Sequence, residues 1–431
     1  MSRLAILGGT PVRTEPFPAY QTIGEEEKRG VLEVMDTGVL SKFLGCWHPD
    51  FYGGPKILEV ERAWASAVNA RHAISVNSNT SGLFAAIGAA GVGPGDEVIV
   101  SPYTMSASAA CIVGWGGVPV FADIEADTFC LDPEAVLASV TPRTKAVVTV
   151  DLLGHPAEHE PLMAMAEARG ITIIEDCAQA PLAMDGKKFA GTLGHIGVFS
   201  LNYHKHIHSG EGGIITTNDD RLAERLQLIR NHGEAVVDDM GVSELANIVG
   251  QNYRMTEIEA AIAAEQLKKL PALLDPWIAN AEETSAFLAQ YPGVTPPRVR
   301  KGCRHVYYVH ASKWDAAVTG VSRDRFVQAL RAELPETFGR EGEGPLVSGG
   351  YVRPLYLQSL YQKRTVSRCS FNCPRYTGSV SYKKGICPVA ETMHYEQLFA
   401  HEYMKPHLTA ADRQAFYDAF DKVHRQRDLL R

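Results

Sequence analysis

Two residues 29 positions apart, Asp176 and Lys205, carry the most specific chemistry in this chain. Each follows a short apolar run of the kind that forms a buried strand. Ile171–Ile174 leads into Glu175-Asp176, and Val198–Leu201 leads into the polar stretch that holds Lys205. Gly210-Glu211-Gly212-Gly213 and the apolar pair Ile214-Ile215 come after the lysine. A lysine that can form an imine and an acid that can pair with a ring nitrogen are what pyridoxal phosphate (PLP) chemistry asks of a protein. The acid keeps the pyridinium protonated, because a nearby anion favours the charged form of a base. The protonated ring then serves as the electron sink.

Such residues need strands to hold them, and the pattern supplies these. Strand-like runs recur at Ala73–Val76, Val98–Ser101, Val118–Ala122, Ala146–Val150, Ile171–Ile174, Val198–Leu201 and Gly213–Thr216. Helical stretches at Ile57–Val68, Ser81–Ala90, Pro133–Ser139 and Pro161–Arg169 fall before or between them. This alternation predicts an α/β fold with a mostly parallel, seven-stranded-type sheet covered on both faces. Ligands of such sheets sit at the C-terminal ends of the strands, where Asp176 and Lys205 fall.

A helical region at Glu257–Leu273 is followed by Pro271, Pro276 and a second helix to Tyr291. The domain change is expected between 265 and 295. That gives a large domain, 1–275, and a smaller α+β domain, 276–431, ending in a helix at Ala410–Leu430. Residues 1–60, with one helical stretch near Gly24–Met35, are expected to lie over the active site. Gly38–Gly45 and Phe51–Gly54 read as active-site or subunit-interface loops, or as plain surface loops. Segment 335–385, rich in Gly, Tyr and Arg, reads as a long excursion that could form a lid or a dimer contact.

Bulk properties exclude several classes. A net charge of −8 with no basic run argues against nucleic-acid binding. No apolar stretch of about 18 residues is present, so no membrane span is expected. The apolar patch Leu4–Leu7 is too short for a signal peptide, which points to the cytoplasm. Eight cysteines in 431 residues make no disulfide framework, and reduced thiols are expected. Cys369, Cys373 and Cys387 are too loosely spaced to predict zinc. His204, His206 and His208 alternate, but such a ladder is more often solvated or substrate-facing than metal-binding. No metal is expected.

Asn77-Ser78-Asn79-Thr80-Ser81-Gly82 opens a helix with small polar residues that leave its N–H groups to an anion, or merely cap it. Ser101-Pro102-Tyr103-Thr104 follows another strand, where the aromatic could be core filler. Taken with the run Glu175–Ala180 (EDCAQA), the Ser200-to-Lys205 spacing, the GEGG turn and Gln251–Thr256 (QNYRMT), the chain resembles the DegT/StrS family of sugar aminotransferases. His305-Val306-Tyr307 and Cys387–Glu391 (CPVAE) resemble that family's H-x-Y strand and P-x-A-E phrase. The resemblance runs from about Gly8 to His394 and implies a fold type I, PLP-dependent transferase. It implies that Asn79, Thr80 and Ser200 hold the phosphate and that Tyr103 stacks on the ring. It implies that Asp176 pairs with the ring nitrogen and that Gln179 lies near the phenolic oxygen, with Lys205 as the catalytic lysine. Asn252 would reach the phosphate of a neighbouring subunit, so a homodimer with shared sites follows. Arg254 could form a salt bridge at the helix start.

Two positions depart from the family. Asn79 replaces the usual glycine, and tolerates positive φ better than most residues. Asp151, in Val150-Asp151-Leu152-Leu153-Gly154, stands where a histidine is frequent, and a carboxylate at the cofactor face would alter substrate contacts. The expected reaction moves an amino group from glutamate or glutamine to a keto-sugar, nucleotide-linked, or a keto-cyclitol. The product would serve antibiotic or polysaccharide synthesis. One rival is a sugar dehydratase of the same fold, in which histidine replaces the lysine; Lys205 opposes it. The other is a non-catalytic PLP-binding regulatory protein, opposed by the intact set Asp176, Lys205, Ser200 and Asn252. The acceptor, the carbon aminated and the donor are open at this stage.

Overall fold

A computed structural model describes residues 2–337, 345–364, 370–371 and 373–431. The seven apolar runs form one sheet. In space the order is His72–Val76, Gly213–Thr217, Ile196–Ser200, Thr172–Asp176, Thr144–Val150, Glu97–Val100, Val118–Phe121. The last five run parallel, whereas Gly213–Thr217 lies antiparallel to both neighbours. Glu97–Val100 and Gly213–Thr217 are buried along their whole length, as a sheet covered on both faces requires. One apolar cluster packs the face under helix Asn79–Ala89, with Leu83, Ile87, Val98, Val148 and Ile215. Another packs the opposite face under Pro55–Val68 and the long helix Glu257–Leu288, with Trp64, Phe199, Ile214 and Leu267. Gly82 lets Asn79–Ala89 come this close, since a Cβ there would meet Val198 Cγ1 at 2.5 Å. That approach sets the N-terminus of this helix beside the strand ends.

The helix Glu257–Leu288 is continuous through Pro271 and Pro276, against the break predicted there. A proline inside a helix costs about 3 kcal/mol. The stripe Leu267, Leu270, Leu274, Trp277 and Ala281 is buried along this region, and it outweighs that cost. The helix carries the chain to a second sheet of four antiparallel strands, ordered Val294–Thr295, His310–Trp314, Leu398–His401, Val347–Gly349. Helices Arg323–Ala332 and Ala410–Arg425 pack there around Trp314, Phe326 and Phe420. His305–Tyr307 is not a strand as expected: Tyr307 takes φ 48°, its carbonyl accepting from Trp277 Nε1.

The start of the chain is divided between the two sheets. Leu4 and Phe17 are buried in the second cluster, and the Ala5 N–H donates to Glu333 Oε1 at 2.8 Å. Buried Glu333 also pairs with Lys422 at 2.7 Å, so these residues belong with the C-terminal sheet rather than over the active site. Residues further on fit the large sheet. Asn231 Nδ2 donates to the carbonyls of Leu44 and Phe51, both at 2.9 Å, anchoring the two glycine-bearing loops.

The described part of the 335–385 excursion covers the sheet's edge strand, Val118–Phe121. Tyr356, Tyr361 and Tyr382 crowd Phe121. Tyr382 Oη donates to the Pro119 carbonyl at 2.7 Å, and Ser370 Oγ donates to that of Gly117 at 2.7 Å. Residues 338–344, 365–369 and 372 of the excursion, Cys369 among them, lie outside the described residues. Cys373 is disulfide-bonded, which corrects the expectation of reduced thiols at that position. Cys387 is a buried free thiol.

Among the described residues seven histidines are buried: His155, His159, His206, His305, His310, His401 and His424. Burial lowers all of them, His155 and His159 to about 4 and His206 and His310 to about 3. Their bonds, such as His206 Nε2 to the Val306 carbonyl at 2.9 Å, are satisfied by neutral rings. A base whose pKa is depressed by folding binds protons better when unfolded. Its stabilisation is therefore present above about pH 6.5 and lost as the pH falls toward the folded value. Asp151, Glu175 and Asp176 are raised by burial and act in the opposite sense, but there are three of them against seven. Each uncompensated histidine contributes roughly 1.4 kcal/mol per pH unit. Thermal unfolding should show the midpoint falling steeply between pH 7 and pH 5. A flat profile would mean that these rings are already charged in the fold.

Candidate active site

The parallel strands end at a cavity of about 320 Å3 lined by Asp176, Gln179, Ser200, Lys205, Asn79 and Thr80 among others. Side chains alternate along a strand, so Asp176 faces the cavity and Glu175 faces the other side. There Glu175 accepts the Gly191 and Gly194 N–H groups at 2.8 and 2.5 Å. Asp176 is fixed on three sides. Ser108 Oγ donates to its Oδ2 at 2.8 Å, and the Ala178 N–H to Oδ1 at 3.2 Å. Asn79 Nδ2 lies 3.4 Å from Oδ1. Burial raises the Asp176 carboxyl, and these donors, with the Lys205 charge, lower it again. Lys205 lies across the cavity, its Nζ 4.4 Å from the centre of the Tyr308 ring. Burial lowers its ammonium to about 8, against the pull of Asp176 and Glu402. A lysine poised this near neutrality can give up its proton and act as nucleophile or base.

The helix Asn79–Ala89 points its N-terminus at the same space. Ser78 caps it, accepting the Ser81 N–H at 3.1 Å, and Thr80 is exposed at the cavity. Gly213 packs against this turn so tightly that a Cβ would meet the Asn79 nitrogen at 2.7 Å. Ser200 Oγ accepts the Asn202 N–H at 3.2 Å and borders the cavity. Helix N–H groups, a serine hydroxyl and small residues together make an anion cradle. Gln179 accepts the Leu153 N–H through Oε1 at 2.6 Å and donates through Nε2 to Tyr351 Oη at 2.6 Å.

Several expected placements are corrected. Tyr103 does not line the cavity: it is fully buried, its hydroxyl accepting the Tyr351 N–H at 2.8 Å. In the turn after Val100 the Tyr103 N–H donates to Ser101 Oγ at 3.2 Å, and Thr104 and Met105 line the cavity. Asn79 is helical and needs no positive φ; its side chain bridges Asp176 and the Val198 carbonyl. Asp151 is not at the cofactor face. Val150 lines the cavity, so the next side chain points behind it, where Asp151 Oδ1 accepts the Ala157 N–H at 2.9 Å. Burial pushes that carboxyl up to about 7. The three alternating histidines diverge. His204 borders the cavity, His206 is buried against Trp277, and the His208 N–H reaches Gln266 at 3.4 Å. Asn252 is exposed and lies outside the cavity lining, its Oδ1 accepting from Arg254 Nε at 2.8 Å. That bond takes the place of the ion pair expected of Arg254.

Sequence reasoning missed Ser108, Tyr308 and Tyr351. Tyr308, Tyr351 and His204 also form part of the wall of a second cavity of about 310 Å3, which includes Arg331, Ser348 and Glu402.

A buried acid and a lysine of lowered pKa facing an anion cradle, at the C-terminal ends of this sheet, fit PLP without adjustment. Such a scaffold is that of a PLP-dependent aminotransferase of fold type I. The chain belongs to the DegT/DnrJ/EryC1/StrS aminotransferase family, whose model matches residues 23–369. It is similar to an L-glutamine:2-deoxy-scyllo-inosose aminotransferase of Streptomyces kanamyceticus, 34% identical over 447 residues, 100% of this chain and 98% of the relative. It also resembles the spore coat polysaccharide biosynthesis protein SpsC of Bacillus subtilis, 35% identical over 79% of this chain and 84% of that protein. Among solved structures, DesI with its TDP-sugar product superimposes with a TM-score of 0.81 at 27% identity, covering 99% of this chain and 97% of DesI. Among the described residues, no helix is long and apolar enough to cross a membrane.

Proposed function

We propose that this enzyme transfers the amino group of glutamine to a keto-cyclitol, a polyhydroxylated ring ketone, in the making of an aminocyclitol antibiotic. The observation that carries the reading is the end-to-end match to a glutamine:inosose aminotransferase. A nucleotide-linked keto-sugar is the second reading, favoured by a GDP-perosamine synthase of Caulobacter vibrioides, 37% identical over 71% of this chain. Lys205 continues to oppose a dehydratase, and the intact site opposes a silent regulator.

PLP, when bound, takes up the amino group and delocalises the electrons left at the substrate carbon. The residues of this chain do the rest. The Asn79 and Thr80 N–H groups and Ser200 Oγ hold its phosphate. Asp176 keeps a negative charge at the ring nitrogen, with Ser108 and Ala178 fixing its direction. Gln179, at the cavity wall, would face the ring's phenolic oxygen. Lys205 Nζ, lowered by burial to about 8, carries protons to and from the reacting carbon. Contacts to the ring faces would come from side chains that face the cavity, Met105 among them.

Asn252, exposed and outside its own cavity, is free in direction to serve a second copy, and we place it on the phosphate of a partner in a closed two-fold dimer. Exposed Val39, Leu40, Leu44 and Trp47, in the loops anchored by Asn231, suit the same interface. The cytoplasm is the proposed location. The long helix carries the change from the large to the small domain.

The direct test is to give PLP-loaded enzyme glutamine and a panel of keto-cyclitols and nucleotide-linked keto-sugars, following amine formation by mass spectrometry. Cyclitol ketones should be aminated at least about tenfold faster than any nucleotide sugar. The reverse order would transfer the reading to nucleotide sugars.

A further inference from the structure

We propose that the phenol of Tyr351 is a specificity-determining hydrogen-bond donor to an oxygen of the acceptor ring, a role that rests on the keto-cyclitol reading. Tyr351 comes from the excursion and borders both cavities. A ligand that spans the space beside Lys205 and the second cavity passes the wall that Tyr351 shares with His204 and Tyr308.

The direction of its proton follows from its neighbours. The Leu153 N–H donates to Gln179 Oε1 at 2.6 Å, which turns the amide so that Nε2 faces Tyr351 Oη at 2.6 Å. The Gln179 amide can only donate there, so the tyrosine oxygen is the acceptor in that bond. Its own proton then has no acceptor among the described residues. A partly buried hydroxyl in this state gains from a ligand oxygen that accepts from it. Burial pushes the phenol up to about 12, so it keeps that proton at any working pH.

The side chain is also held in place before any ligand arrives. The Tyr351 N–H donates to Tyr103 Oη at 2.8 Å, and the two rings meet edge-on at 6.0 Å. Gly350 before it takes φ 70°, and a Cβ there would strike the His394 carbonyl oxygen at 2.7 Å. The charged members of the second cavity are engaged with protein. Arg331 Nη1 donates to the Pro345 and Val347 carbonyls at 2.9 and 2.6 Å, and Glu402 pairs with Lys405. A fixed neutral donor among committed charges suits an uncharged hydroxyl-bearing ring.

The experiment compares Tyr351→Phe with wild type in the full-length, PLP-loaded enzyme, with the two half-reactions measured separately. Amination of the cofactor by glutamine should lose far less than the acceptor half-reaction, since only the partner of Gln179 Nε2 is removed there. The acceptor half-reaction should lose about ten- to a hundredfold in kcat/KM, the usual consequence of removing one buried donor. Scyllo-inositol, a non-reacting ring, should bind about tenfold more weakly to the variant by calorimetry. Equal losses in both halves, or none in the second, would overturn the proposal. If the variant does not fold, acceptors lacking one hydroxyl each are tested on wild type: a sharp loss at one position is expected, and uniform tolerance overturns it. A wild-type enzyme that takes glutamine but aminates no keto-cyclitol would instead remove the reading beneath it, and the proposal with it.

Discussion

Replacing Lys205 by alanine is expected to abolish transamination and leave the fold standing. Nζ is the one amine facing both Asp176 and the cavity among the described residues, and its loss removes the proton carrier at the reacting carbon. Stability should hold or rise slightly, because burial lowers this ammonium and the fold no longer has to desolvate it. The variant would be assayed for product amine with glutamine and an active acceptor, alongside its thermal midpoint. Turnover at the wild-type rate would end the assignment. Mixing it with Asn252→Ala chains gives the assembly test. If each phosphate is held partly from the partner, some mixed dimers contain one intact site, and activity should return; mixtures that stay inactive would leave each chain to build its own site.

Asp176→Asn should lower single-turnover rates by about two orders of magnitude, the usual scale for removing a preorganised charge at a reacting centre. Asparagine can keep the Ala178 N–H on its carbonyl oxygen and donate through Nδ2 to Ser108 Oγ, so the geometry persists while the charge is lost. A second readout separates charge from packing. Asp176 raises the Lys205 pKa, so the variant's lysine should titrate below the wild-type value of about 8. A rate loss under threefold with an unchanged lysine titration would take Asp176 out of the electron-sink role.

Much of the scaffold was legible because strands buried on both faces are written as uninterrupted apolar runs. All seven were readable, and so was the placing of Asp176 and Lys205 at their ends. What failed has physical reasons. Asp151 and Val150 are adjacent, so only alternation decides which one faces the cofactor, and alternation cannot be read from an apolar run. Tyr103 is buried with its hydroxyl on the Tyr351 N–H, a partner 248 residues away that no local pattern shows. The prolines at 271 and 276 signalled a break locally, but the helix is held by burial contributed from elsewhere in the chain. Tyr351 meets Gln179 across 172 residues of sequence, and no local pattern announces such a meeting.

The tyrosine-rich cover over Val118–Phe121 ties the fate of activity to the fate of solubility. Pro119 leaves that edge strand one N–H short, and Tyr382 occupies the Pro119 carbonyl, so little of the strand is open to another chain. The same excursion delivers Tyr351 to the reaction space. Loss of this cover would remove the Tyr351 contact and bare the edge strand together. A substitution that loosens the cover should therefore raise aggregation and lower acceptor turnover together, read by light scattering beside the activity assay.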